Sequence, residues 1–122
     1  MKKNRKILII DDNPAITDSM TLLLDFEGYD VSTLSKGSEV FKFLEVEWPS
    51  LIVLDMWLSG EDGRDICRKL KSEDGTRNIP IIMMSASRGL EQSALEAGAD
   101  AFIAKPFDMD DMLVRISALL QQ

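Results

Sequence analysis

Short, nearly unbroken apolar runs alternate with longer stretches in which apolar residues recur at helical spacing. The runs occupy 6–10, 29–34, 51–54, 79–84 and 101–104. Four of them carry little polar sequence, as strands buried on both faces of a parallel sheet do. The run at 29–34 alternates more and predicts an edge strand. Helical patterns fill the intervals. Pro14 suits a first helical position, Ile16, Met20, Leu23 and Leu24 follow on one face, and Gly28 closes the helix. A second helix is predicted from Ser38, with Val40, Phe41 and Leu44 inward, ending before Trp48-Pro49, where Trp48 is expected to pack. A third runs from about Gly63 to Lys71 on Ile66, Cys67 and Leu70. A short or late fourth carries Leu90, Ala94, Leu95 and Ala97 and stops at Gly98, while Gly89 stands where it should begin. The fifth opens with Asp108, Asp110 and Asp111, which favour a helix start, and turns Met109, Met112, Leu113, Ile116 and Leu120 inward. Strict alternation of β and α predicts an α/β fold, a doubly wound five-stranded parallel sheet with right-handed crossovers.

Composition narrows the class without changing that picture. The chain has 122 residues, 45% apolar and 29% charged, which suits one globular domain over 1–122 with a core of its own. Fourteen basic against 21 acidic residues leave a net charge of −7. That balance argues against direct nucleic-acid binding, because phosphate backbones select basic surfaces. One cysteine excludes a disulfide within the chain, and the absence of histidine excludes His-based triads, His-ligated zinc and autophosphorylation on His. The basic start at 2–6 is followed by only four apolar residues, too few for a signal peptide, and no run approaches a membrane span. A cytoplasmic protein is expected, with no membrane partner.

In doubly wound sheets ligands bind beyond the carboxyl ends of the strands. Here the first predicted strand ends in Asp11-Asp12, the third in Asp55, the fourth in Ser85 and the fifth in Lys105-Pro106. One acid at a strand end often only caps the next helix. Three converging acids are costlier, since two carboxylates about 4 Å apart repel by roughly 4 kcal/mol at an effective dielectric near 20. One lysine offsets a single charge. A hard divalent cation held by oxygens, Mg²⁺ above all, is the natural neutraliser. A carboxylate beside Mg²⁺ and a lysine is poised to attack phosphorus, which makes Asp55 the central candidate and Ser85 a donor to the new phosphoryl group.

These residues resemble the receiver domain of two-component response regulators, of the chemotaxis-receiver kind, along essentially the whole chain. The resemblance rests on Ile7-Leu8-Ile9-Ile10-Asp11-Asp12, Leu54-Asp55-Met56, Asp62-Gly63, Pro80-Ile81-Ile82-Met83-Met84-Ser85-Ala86, Ala97-Gly98-Ala99-Asp100 and Lys105-Pro106-Phe107, in that order and spacing. It implies a flavodoxin-like (βα)5 sheet of order 2-1-3-4-5. It implies that Asp55 accepts a phosphoryl group from a phosphohistidine on a sensor histidine kinase or a histidine phosphotransfer protein. Asp12 and Asp55 would ligate Mg²⁺ directly, Asp11 through water, and Trp57 through its backbone carbonyl. Lys105 would pair with the phosphoryl group, the Lys105–Pro106 peptide would be cis, and Ser85 and Phe102 would move together as a switch. The implied protein is a signalling phosphoacceptor rather than an enzyme, with self-phosphorylation and self-dephosphorylation as its only chemistry. The first helix and the loops around the site would dock the kinase; the downstream target is unspecified, and a phosphorylation-dependent homodimer is compatible with the resemblance.

Four departures carry their own expectations. Ser59 stands where family members often have Pro, which predicts a less stiff loop after Asp55. Trp57 is bulky for its place and is expected to shield an acyl phosphate from water. Phe102 lacks the hydroxyl of a Tyr, and the span from Ser85 to Lys105 is slightly shorter than the family pattern. Competing readings are weaker. Cys67 reads as a packed small hydrophobe, the methionines as core, and Asp108, Asp110 and Asp111 as helix-start acids rather than a metal site. Glu61-Asp62-Gly63 lacks the periodicity of a calcium loop, and no glycine-rich nucleotide motif occurs. An Asp-nucleophile phosphatase usually has its second acid two residues on, where this chain has Asn13. A degenerate receiver that only docks would need none of Asp11, Asp12, Asp55, Ser85 and Lys105.

Overall fold

A computed structural model describes residues 5–121. The main sheet is formed by β1 (Lys6–Ile10), β2 (Asp30–Leu34), β3 (Leu51–Asp55), β6 (Ile81–Ser85) and β7 (Ala101–Ala104). All its neighbours are parallel, in the order β2-β1-β3-β6-β7, so the edge position of the alternating strand and the 2-1-3-4-5 order of the five major strands are both observed. β1 and β3 sit side by side in the middle, with Ile10 opposite Leu54. Asp11 and Asp55 therefore emerge at the same edge of the sheet.

Alternation along the strands sorts side chains into two cores. Leu8, Ile10, Ile52, Leu54, Ile81 and Met83 face α2 (Val40–Phe43), α3 (Gly63–Ser72) and α4 (Glu91–Glu96). Ile7, Ile9, Leu51, Val53, Ile82 and Met84 face α1 (Pro14–Phe26) and α5 (Met109–Leu120). Burying one such side chain fully is worth roughly 1.5–3 kcal/mol, so both faces fix the register of the strands. Asparagine and aspartate side chains start three helices. Asn13, Asp62 and Asp108 each accept a hydrogen bond from the backbone N–H two residues on.

Three sequence expectations need correction. The second helix does not run to Trp48: a 3-10 turn at Gly37–Glu39 leads into only four α-helical residues. Beyond Leu44 the chain continues only as hydrogen-bonded turns, and Val46 and Trp48 face solvent instead of packing on the sheet. Trp48 is 56% exposed and Pro49 is buried in its stead. The chain turns there to bring Ser50 N–H onto the Lys6 carbonyl. The fourth helix is short, as expected, after a 3-10 turn at Arg88–Leu90. Its Leu95 points outward while Ala94 and Ala97 are buried. Lastly, the stretch after Asp55 is no simple loop but a hairpin, β4 (Trp57–Leu58) against β5 (Glu61–Asp62). Gly60 takes its second corner at φ 80°, a conformation that favours glycine. Among the described residues no helix is long and apolar enough to cross a membrane.

Candidate functional site

The carboxyl ends of β1, β3 and β7 bring Asp11, Asp12, Asp55 and Lys105 together. One carboxylate oxygen from each of the three acids lies within 4.8 Å of the others. Lys105 Nζ bridges two of them, 2.9 Å from Asp11 Oδ2 and 3.1 Å from Asp55 Oδ1. The other oxygen of Asp11 accepts from the Asn13 N–H at 2.9 Å, where the chain enters α1. Three acids against one ammonium leave an excess of negative charge on a patch where Asp11 and Asp55 are buried and Asp12 is exposed.

The electrostatics follow. Burial pushes the Asp55 carboxyl above the usual range, Asp11 adds to the rise, and Lys105 pulls against it. Burial disfavours the Lys105 ammonium, but the hydrogen bonds and charges of Asp11 and Asp55 outweigh it and raise its pKa. Asp12 is held below the ordinary carboxylate range by the Ser59 hydroxyl first and the Ser59 N–H second.

The remaining candidates are spread around this cluster. Ser85 is buried at the end of β6, and its Oγ accepts from the Ser87 N–H at 3.1 Å. Phe102 is 6% exposed and already packed among the residues facing α3 and α4. It lies opposite Met83 while Ser85 lies opposite Ala104, so the two are on neighbouring strands but not paired. The Lys105–Pro106 peptide is cis. Trp57 is 54% exposed on the hairpin, with the Arg64 guanidinium 5.2 Å from its ring centroid. Cys67 is fully buried and its thiol is pushed up to about 11, which leaves it unreactive. Asp108 caps α5, away from the cluster.

Contacts that the sequence did not reveal define the surroundings. The Gly63 N–H donates to the Met56 carbonyl at 2.7 Å, and a Cβ on Gly63 would lie 2.4 Å from the Asp55 carbonyl oxygen. The hairpin thus folds back onto the backbone of the acid at its root. Glu61 accepts from the N–H groups of Gly37 and Ser38, at 2.8 and 3.1 Å, and so tethers the start of the 3-10 turn before α2. Arg64 grips Asp62 with three hydrogen bonds and donates to Ser93 Oγ at 3.0 Å, joining the hairpin to α4. The Ser59 N–H and O–H both donate to Asp12 Oδ2, at 3.0 and 2.7 Å. The Asp-Gly pair at 62–63 was the only local signal of this arrangement; the partners of Ser59, Glu61 and Arg64 lie too far along the chain to be read.

Fold and cluster together define a doubly wound α/β domain with an acidic, lysine-bridged crevice at the point where the strand order reverses. The chain belongs to the response regulator receiver domain family, which it matches over residues 7–117. Domains of this family are signalling phosphoacceptors of two-component systems and not enzymes in the ordinary sense. Among curated relatives, the DNA-binding dual master transcriptional regulator RpaA of Synechocystis sp. is 37% identical over 119 residues, covering 96% of this chain and 49% of that protein. The phosphate regulon transcriptional regulatory protein PhoB of Rhizobium meliloti is 34% identical, covering 96% and 52%. The chain spans about half the length of these curated relatives. A solved receiver domain protein from Methanospirillum hungatei superposes with a TM-score of 0.87 at 34% identity, covering 96% of this chain and 94% of that one. The receiver domain of a signal transduction histidine kinase from Syntrophus aciditrophicus does so at 0.88 and 31%, covering 96% and 90%.

Proposed function

We propose that residues 1–122 act as one receiver unit in which Asp55 accepts a phosphoryl group from a phosphohistidine on a sensor histidine kinase or a histidine phosphotransfer protein. The observation that carries this reading is the convergence of three carboxylates, two of them bridged by a single lysine. The donor set fits Mg²⁺, since its oxygens are hard and their excess charge is otherwise unbalanced. Asp12 and Asp55 would hold the ion directly, Asp11 through water, and Trp57 through its carbonyl. Both oxygens of Asp11 already carry hydrogen bonds, which supports the indirect role. When bound, Mg²⁺ supplies neutralisation of charge on the transferring phosphoryl oxygens.

The chain's own groups do the rest. A carboxylate oxygen of Asp55 attacks phosphorus in line with the leaving imidazole. The phosphorus–nitrogen bond breaks, and its electron pair departs with the donor. Lys105, fixed between Asp11 and Asp55, then holds a phosphoryl oxygen, and the Ser85 hydroxyl donates to another. Gaining that partner draws Ser85 toward the site, and Phe102 packs against the change. Hydrolysis of the acyl phosphate resets the domain. Docking of the donor is supported by an apolar cleft of about 390 Å³ beside Lys105, lined by Ala15, Ile16, Met20, Pro106, Phe107 and Met109. The downstream target would read the phosphorylated surface.

Intact-mass measurement after incubation with acetyl phosphate and Mg²⁺ tests the reading. The expected result is a gain of one phosphoryl group that a chelator abolishes and Asp55→Asn lacks. No gain together with no Mg²⁺ binding would leave a docking module; turnover on a small phosphate ester would indicate a phosphatase.

A further inference from the structure

The hairpin corner contributes something to the acidic cluster that the resemblance does not assign. Ser59 reaches Asp12, 47 positions earlier, and gives both of its donors to one carboxylate oxygen. Its own placement is firm. Trp57 and Leu58 pair with Asp62 and Glu61, Leu58 is buried, and Glu61 is fastened to the start of the turn before α2. Gly63 presses the returning strand onto the backbone of Asp55. The hairpin is therefore anchored at its base and along one side, and Ser59 projects from a fixed frame.

Asp12 stands in a different position. It is exposed, it carries the same charge as its neighbours Asp11 and Asp55, and Lys105 bonds to those two. Like charge on Asp11 and Asp55 disfavours a carboxylate turned toward them, and Lys105 attracts Asp12 without bonding to it. Two donors on Oδ2 offset that penalty and keep the carboxylate turned into the cluster. A proline at position 59 would have neither an N–H nor a hydroxyl to offer.

We propose that Ser59 is the positioning residue for Asp12, its N–H and O–H holding the carboxylate beside Asp11 and Asp55 and thereby setting the affinity for a divalent cation. The inference rests on the reading of Asp12 as a metal ligand. Groups that orient metal ligands typically change metal affinity about 10–100-fold when removed.

Mg²⁺ titration of the full chain, followed by tryptophan emission and independently by the thermal midpoint, tests it. Ser59→Ala keeps the N–H bond and is expected to weaken Mg²⁺ binding by about tenfold; Ser59→Pro loses both bonds and weakens it further. Ser59→Thr retains both donors and is expected to restore the parent affinity. Saturating Mg²⁺ returns the acetyl phosphate labelling rate of Ser59→Ala to the parent value, which a general loosening of the fold would not allow. Parent-like or tighter binding in both Ser59→Ala and Ser59→Pro, with Asp12→Asn defective, overturns the role of Ser59 alone. Parent-like binding in Asp12→Asn overturns the reading of Asp12 as a ligand and this inference with it.

Discussion

Burial works against ionisation of Asp55. Its pKa lies above the ordinary value, chiefly through burial and then through Asp11. The folded state therefore holds a proton there more tightly than the unfolded chain does. Stability from that proton is complete below the unfolded pKa and is lost as pH rises through the folded one. At pH 7 without metal, Asp55→Asn is expected to raise the thermal midpoint. The advantage should shrink on acidification and vanish below the usual carboxylate range; a difference between variant and parent that is the same at every pH would contradict the assignment. Trp57 offers a second handle. Its ring carries Arg64 and stands two residues after Asp55. Trp57→Asn is expected to speed loss of the phosphoryl group severalfold in a chelator chase, and an unchanged or slower rate would exclude the shielding role. The acids and lysine were readable because each falls where an apolar run stops. The grip of Arg64 on Trp57 was not, since it depends on how two short strands meet.

The hairpin is the element that sequence periodicity missed. Strands of two residues are too short to display an alternation, and Ser59-Gly60 reads as an ordinary turn. The structure replaces the expected looseness after Asp55 with ties on three sides: Asp12 through Ser59, the turn before α2 through Glu61, and α4 through Arg64 and Ser93. Gly63 is the tightest point. A methyl group there would meet the Asp55 carbonyl oxygen at 2.4 Å and the Met56 Cα at 3.1 Å, both backbone atoms that cannot swing aside. Gly63→Ala is expected to cost about 1–3 kcal/mol in urea unfolding, in the range of overpacked interiors, and to slow phosphorylation by displacing Asp55. A variant with parent stability would show that the strand end yields freely. The truncated second helix has the opposite origin: helical spacing of Val40, Phe41 and Leu44 was real, but Val46 and Trp48 beyond it stay exposed and pack no further turn.

The sheet as a unit was the most readable feature, because unbroken runs such as 7–10 and 51–54 can only be buried from both sides. Strand order and the meeting of Asp11 with Asp55 followed from the family pattern, since neighbouring central strands share an edge. A cation that binds this edge only in the folded state raises stability by mass action. At about one hundred times its dissociation constant the gain is roughly 2.7 kcal/mol, so Mg²⁺ is expected to lift the thermal midpoint by several degrees in the parent and much less in Asp55→Asn. A parent midpoint indifferent to Mg²⁺ would argue against a metal centre. Lys105 stands 94 positions after Asp11, and among the described residues no other cation bridges Asp11 to Asp55. During synthesis the acids leave the ribosome long before the ammonium that neutralises them. A nascent chain thus lacks the counter-charge of its acidic cluster until the last strand of the sheet arrives, and the lysine-bridged site can be completed only by the final quarter of the sequence.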